Sequence, residues 1–311
     1  MDRKPTLGEA VAAGLVSTSG AMAVFWAASS AFMLACLWVI VRSVSDELDT
    51  FQITFMATLF GFLMFLPVGL KRGVTVFKTR RFVTHFIRAA FNGVGILAWF
   101  WALTLMQLAD AAALNLLMPV VVAIFAMIFL GEKVGPRRWA ALAVGICGAL
   151  IVVRPGFQEV GLGVWLVLGT VVCAASQRVI AKSLTRTESS TTSVLYLMGL
   201  MVPVTLLPAM SVWTTPSLGA LAGIIAVGAL LTGAHFTFMH SITLADVSAL
   251  EPVNFTRLLF AAVLGFFFFA ETPSIWTLIG GLLIIASTTY VARREAALRS
   301  APRARPDTGG V

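Results

Sequence analysis

A charge buried at the centre of a membrane-crossing helix costs at least about 2.5–3.5 kcal/mol, so ionisable groups inside long apolar runs are the first candidates for chemistry. Of the 22 lysines and arginines, three fall inside such runs and away from their outermost residues: Arg88, Arg178 and Arg257. Arg257 closes the segment Glu251-Pro252-Val253-Asn254-Phe255-Thr256-Arg257. At about 100° per residue, Glu251, Asn254 and Arg257 share an arc of roughly 120° on one helix and can line one wall of a cavity. The planar fork of Arg257 suits an anionic or carboxylate group, which makes it the leading binding candidate. A structural pair of Arg257 with Glu251 is the competing reading. Glu251 is also a candidate proton-coupling group, because a carboxylate beside a cavity can take up and release protons during a cycle. Pro252 frees a backbone carbonyl one turn back and predicts a helix kink where this stripe begins.

A second face lies in an earlier run, where Arg88, Asn92, Gly95 and Trp99 follow i, i+4, i+7, i+11 spacing. Asn92 and Trp99 are candidate substrate contacts there, with Trp99 able to stack on a planar group and ordinary packing as its competing reading. Arg88 is expected to snorkel toward the nearer membrane surface, with a substrate contact as the competing reading. Cys36, Cys147 and Cys173 all sit in apolar segments and read as small core residues. With three histidines in the whole chain and no metal-ligand spacing, no metal site is expected.

The elements that position these residues follow from composition. Of 311 residues, 59% are hydrophobic and 12% charged, and mean hydropathy is +0.94. Water-soluble domains carry about 25% charged residues, so most of this chain belongs in lipid. A span needs about 20 apolar residues. Ten candidate spans are legible at 20–41, 51–70, 84–105, 110–130, 138–153, 161–183, 191–210, 218–240, 247–269 and 274–292. Each should be α-helical, because lipid offers no partners for backbone polar groups. With the N-terminus cytoplasmic, Arg42 and Arg154 are the two basic residues outside, and 17 lie inside. That bias predicts both termini in the cytoplasm. A polar tail at 1–19 and a basic tail at 293–311 flank the spans, the latter held by anionic lipid.

The chain also repeats itself. Leu108-Ala109-Asp110-Ala111-Ala112-Ala113-Leu114 opens the fourth span, and Leu244-Ala245-Asp246-Val247-Ser248-Ala249-Leu250 opens the ninth. Each span closes on an acidic residue, Glu132 or Glu271, followed by Pro136 or Pro273 and Trp139 or Trp276. Asp110 and Asp246 read as helix N-terminal caps. This alignment sets Asn115 against Glu251 and His235 against Trp99, which adds Asn115 and His235 to the candidate substrate contacts; a core histidine bonded to a neighbouring helix is the competing reading for His235. Residues 20–153 and 161–292 thus form two halves of five helices. An odd helix count starts the second half on the opposite side of the membrane from the first. The expected fold is an all-α integral membrane protein of ten transmembrane helices in two inverted five-helix repeats, an architecture that places a site between the repeats near the midplane.

The stretch Arg88–Pro155, and Ala234–Glu271 after it, resemble the two repeats of EamA-type members of the drug/metabolite transporter superfamily. The resemblance covers roughly residues 20–295. It implies an inner-membrane carrier that moves a small organic metabolite, such as an amino acid or a similar amphipathic or anionic compound, by alternating access, with export as one direction. The family branch with Pro-Phe-x-Tyr-x-Arg in the ninth helix is matched at Pro252 and Arg257, whereas Val253 and Phe255 replace its aromatic residues and Glu251 replaces an apolar one. A histidine near His235 also resembles that branch. No bound cofactor is implied, nor any nucleic-acid partner; the lipid bilayer and a small-molecule substrate are the expected partners. An enzyme is not expected, because no diphosphate-metal motif or activated nucleophile setting is present. A passive channel or facilitator for small solutes is the alternative.

Overall fold

The computed structural model describes residues 18–71, 73, 78–118, 120, 121, 124, 125, 128, 136–154, 160–184, 187, 188, 190–244, 253 and 255–300. Among the described residues there are ten helices and no strand. They are α1 (Thr18–Val44), α2 (Thr50–Lys71), α3 (Phe82–Leu105), α4 (Leu108–Asn115), α5 (Pro136–Val153), α6 (Leu162–Leu184), α7 (Ser190–Ser211), α8 (Leu218–Leu244), α9 (Thr256–Phe269) and α10 (Ile275–Ser300). Every predicted span therefore contains a helix. Ala21–Val44, Thr50–Lys71, Phe82–Leu105 and Thr192–Ser211 are each long and apolar enough to cross a membrane on their own.

Local chemistry sets the breaks. α3 stops at Met106, whose extended backbone (φ −149°, ψ 166°) and that of Gln107 let α4 restart within two residues. Pro136 opens α5, where its missing N–H costs nothing. α9 ends on Ala270 in the left-handed conformation (φ 54°), its N–H bonded to Phe266 O while the N–H of Glu271 returns to Gly265 O. That is a double-bonded helix stop, which turns the chain sharply back on itself.

The helices pair across the two halves. α1 packs on α8 as α6 packs on α3; α3 packs on α7 as α8 packs on α2; α4 packs on α6 as α9 packs on α1. Adding five to a helix number converts each of these contacts into its counterpart, and the α2–α7, α4–α9 and α5–α10 contacts map onto themselves. Small residues allow the closest of these approaches, as expected where helices pack in lipid. A Cβ on Gly148 of α5 would lie 2.7 Å from the Gly280 carbonyl oxygen of α10. Leu37, Ile53, Phe100, Leu103, Leu142, Ile224 and Ile284 fill the interior. Phe25, Trp165, Leu207 and Phe267 point outward, where lipid rather than water is their solvent.

Polar side chains stitch the helix ends. At the end holding Arg42, the fully buried Gln52 donates to Thr214 O (2.6 Å) and accepts from Thr214 N (2.9 Å). Beside it, Glu47 accepts from the Ser217 N–H (2.7 Å) and hydroxyl (2.8 Å). At the opposite end, Arg81 donates to Ser183 O (2.8 Å), and Thr79 donates to Glu188 (2.6 Å).

Candidate functional site

Three helices converge on Trp38. The Arg257 guanidinium on α9 lies with its Cζ 6.0 Å from the Trp38 ring centroid on α1. Trp38 also meets Trp99 of α3 edge to face, with centroids 4.9 Å apart and planes at 61°. Both indoles are buried, and Arg257 is half-buried. A cation within about 6 Å of an indole face is attracted by the ring quadrupole, more strongly once water is excluded. The arrangement sets a cation beside two indoles, the chemistry that recognises an anionic group joined to an aromatic body. Arg257 and Trp99, far apart in sequence, are thus brought to one centre. Trp38, which joins them, has no polar neighbour in sequence to single it out.

Asn92 goes elsewhere: its Nδ2 donates to Met201 Sδ of α7 (2.8 Å). Asn115 is half-buried at the end of α4, a helix that packs on α9. His235 sits within α8, and only its backbone is described. Glu251, Pro252 and Asn254, and with them the stripe expected beside Arg257 and the kink expected at Pro252, lie outside the described residues.

Arg88 departs from expectation. It does not snorkel: it is 9% exposed, its Nε donates to Gln177 Oε1 of α6 (3.2 Å), and its Nη1 donates to Ser193 Oγ (2.6 Å) and O (3.3 Å) of α7. Three acceptors from two helices outcompete the membrane surface, because they satisfy the charge within the bundle. The seam continues along α3. Thr170 of α6 donates to Gly95 O (3.0 Å), and His85 is fully buried and stacked on Tyr196 of α7 (4.8 Å, 25°). Neither His85 ring nitrogen finds a hydrogen-bond partner among the described residues.

The capping role expected of Asp110 also changes hands. Its carboxylate accepts from the Thr277 hydroxyl of α10, and the free N–H of Leu108 at the start of α4 donates to Glu271 Oε2 (2.9 Å). Asp246 lies outside the described residues. Glu271 pairs with Arg42 as well. In sequence Glu271 shows only as a repeat marker, because every one of these partners is distant along the chain.

The EamA-like transporter family matches the chain twice, at residues 21–154 and 161–293. The chain belongs to the EamA-like transporter family. Among similar EamA-type proteins is the riboflavin transporter of Rhizobium johnstonii, 28% identical over 76% of this chain and 78% of that protein. The S-adenosylmethionine uptake transporter of Rickettsia felis is 24% identical over 83% of this chain and 87% of its own length. Solute carrier family 35 member G1 of Homo sapiens is 26% identical over 88% and 80%. A crystal structure with 20% sequence identity superposes with a TM-score of 0.57, covering 86% of this chain and 98% of that one, and shows the same fold. The family fixes the class: a multi-pass membrane transporter of small molecules, not an enzyme.

Proposed function

We propose that this EamA-like protein is an inner-membrane secondary carrier working by alternating access, with its site between repeats 20–153 and 161–292 and both termini in the cytoplasm. Its substrate is a small organic metabolite that joins an anionic or carboxylate group to a planar or apolar body. The observation that carries this reading is the Arg257 guanidinium set against the Trp38–Trp99 pair. One end of that site offers charge and the other an aromatic surface. Relatives named for riboflavin and S-adenosylmethionine, both built on flat heterocycles, support such a surface. Glu251, six residues before Arg257, is the proposed proton-coupling group.

Counterflow in proteoliposomes tests the proposal. Vesicles are loaded with riboflavin, S-adenosylmethionine, or aromatic and other amino acids in turn, with wild-type protein or Arg257→Ala. Saturable exchange of one compound, lost in Arg257→Ala while that variant still inserts and folds, is the expected result. An Arg257→Ala protein with full exchange refutes the role of the guanidinium. Non-saturable leak of unrelated solutes would instead make the protein a channel. For the compound that exchanges, Glu251→Gln should abolish the response to an imposed pH gradient; a full response refutes the coupling role.

A further inference from the structure

One turn beyond Trp38, both repeats contribute to a partly buried polar node. Arg42 follows Trp38 by four residues on the same face of α1. Its Nη1 pairs with Glu271 Oε1 and donates to Met106 O (3.3 Å), and its Cζ lies 4.6 Å from the centre of the Phe269 ring. Glu271 Oε2 takes the N–H of Leu108 at the positive end of α4. The Arg42 and Glu271 side chains are 24% and 9% exposed. The fold makes room for this carboxylate. The left-handed turn at Ala270 throws Glu271 back over α9, and a Cβ on Gly265 would sit 2.9 Å from Glu271 Oε2. Arg42, Met106 and Leu108 belong to the first repeat, Phe269 and Glu271 to the second.

We infer that Arg42 and Glu271 form a charge latch that shuts the site around Trp38 and Arg257 from the membrane face on which α1 ends, and that transport requires it to part. The inference rests on the alternating-access reading above. A largely enclosed ion pair is a poor source of stability, because the desolvation of its buried carboxylate offsets much of its Coulomb gain. At a helix end that property is useful. When the repeats separate, water takes over both charges and the Leu108 amide, and the desolvation cost is recovered. The latch is therefore selective for the closed geometry without locking the carrier in it. Removing one partner has another effect: it strands the other charge in the closed state and favours the open one.

The test reads access without a substrate. Cys36, Cys147 and Cys173 are replaced by Ala, and a reporter cysteine is placed at Ala112, one turn below Leu108 on α4 and 3% exposed. A membrane-impermeant maleimide is then applied to intact cells and, separately, to inverted vesicles. The reporter should be protected in the otherwise native chain. With R42Q or E271Q it should label at least about fivefold faster, the low end of a typical coupling between two states, and from one membrane face alone. The double variant R42Q/E271Q should label no faster than either single one, since both act through one contact. Unchanged labelling in the single variants overturns the latch. So does faster labelling from both faces, or in step with a collapse of the melting temperature, because either marks local unfolding. A wild type that fails every counterflow arm would remove the carrier reading while leaving the labelling result intact.

Discussion

The approach of α5 to α10 gives a prediction whose sign depends on backbone geometry. A Cβ added at Gly148 would stand 2.7 Å from Gly280 O, 2.8 Å from Ile284 Cγ1 and 3.1 Å from Ile284 N. Two of these three neighbours are backbone atoms and cannot rotate away. Ordinary contact begins at 3.4 Å, so the helices must part by about 0.7 Å. Overpacking of this kind costs about 1–3 kcal/mol, against a gain of about 1 kcal/mol from replacing glycine in a helix interior. Gly148→Ala should therefore be destabilising, by up to about 2 kcal/mol net. Gly169 of α6 is the control, because a Cβ there meets nothing within 4 Å. Gly169→Ala should keep the gain and stabilise by up to about 1 kcal/mol. The two variants are thus separated by the overpacking cost alone. At about 2–4 °C per kcal/mol that is a gap of roughly 2–12 °C in melting temperature. Intrinsic fluorescence of the eight tryptophans, scanned in detergent at one heating rate, measures it. A Gly148→Ala protein that melts at or above Gly169→Ala would refute the reasoning.

The other expectations concern buried polar groups. His85→Phe keeps a ring against Tyr196 and removes the two ring nitrogens, so it should raise stability by about 1–3 kcal/mol; a lower melting temperature would show that those nitrogens are needed in the fold. Gln52→Leu leaves both backbone groups of Thr214 without their side-chain partner and should cost about 1–3 kcal/mol, read in the same melting scan. Arg88→Met should lower the melting temperature more than Arg81→Met, since Arg88 is enclosed by three acceptors between helices while Arg81 is half-exposed at a helix end; the reverse order would count against a structural seam.

Much of the architecture was legible in the sequence because lipid imposes a simple rule on it. Runs of about 20 apolar residues must be helices, and the predicted 51–70 and 84–105 appear as Thr50–Lys71 and Phe82–Leu105. The tenth helix runs past its predicted end at 292 to Ser300, because Ala-Arg-Arg-Glu-Ala-Ala-Leu-Arg is strongly helix-forming once it leaves the membrane. At the site, Arg257 was legible as a charge in an apolar run. Its aromatic neighbour Trp38 was not, since it differs from other apolar residues only by what lies across the bundle. Glu271 shows the same limit: its amide partner Leu108 is 163 positions away, so local patterning assigns the cap to Asp110 instead. The snorkelling expected of Arg88 failed because Gln177 and Ser193 are 89 and 105 positions distant.

The exchange of partners between the halves bears on how the protein is made. α1 finds its main neighbour in α8, and α3 in α6, so the first five helices are synthesised before most of what they pack against. Between Val44 and Leu218 the ribosome adds more than 170 residues, roughly 10–35 s of synthesis. Throughout that interval α1 lacks its main neighbour, although Trp99 and Met106 of the first half are already available to Trp38 and Arg42. Assembly of this chain is therefore post-insertional: its helices enter the membrane in order, but the bundle closes only when the second half arrives.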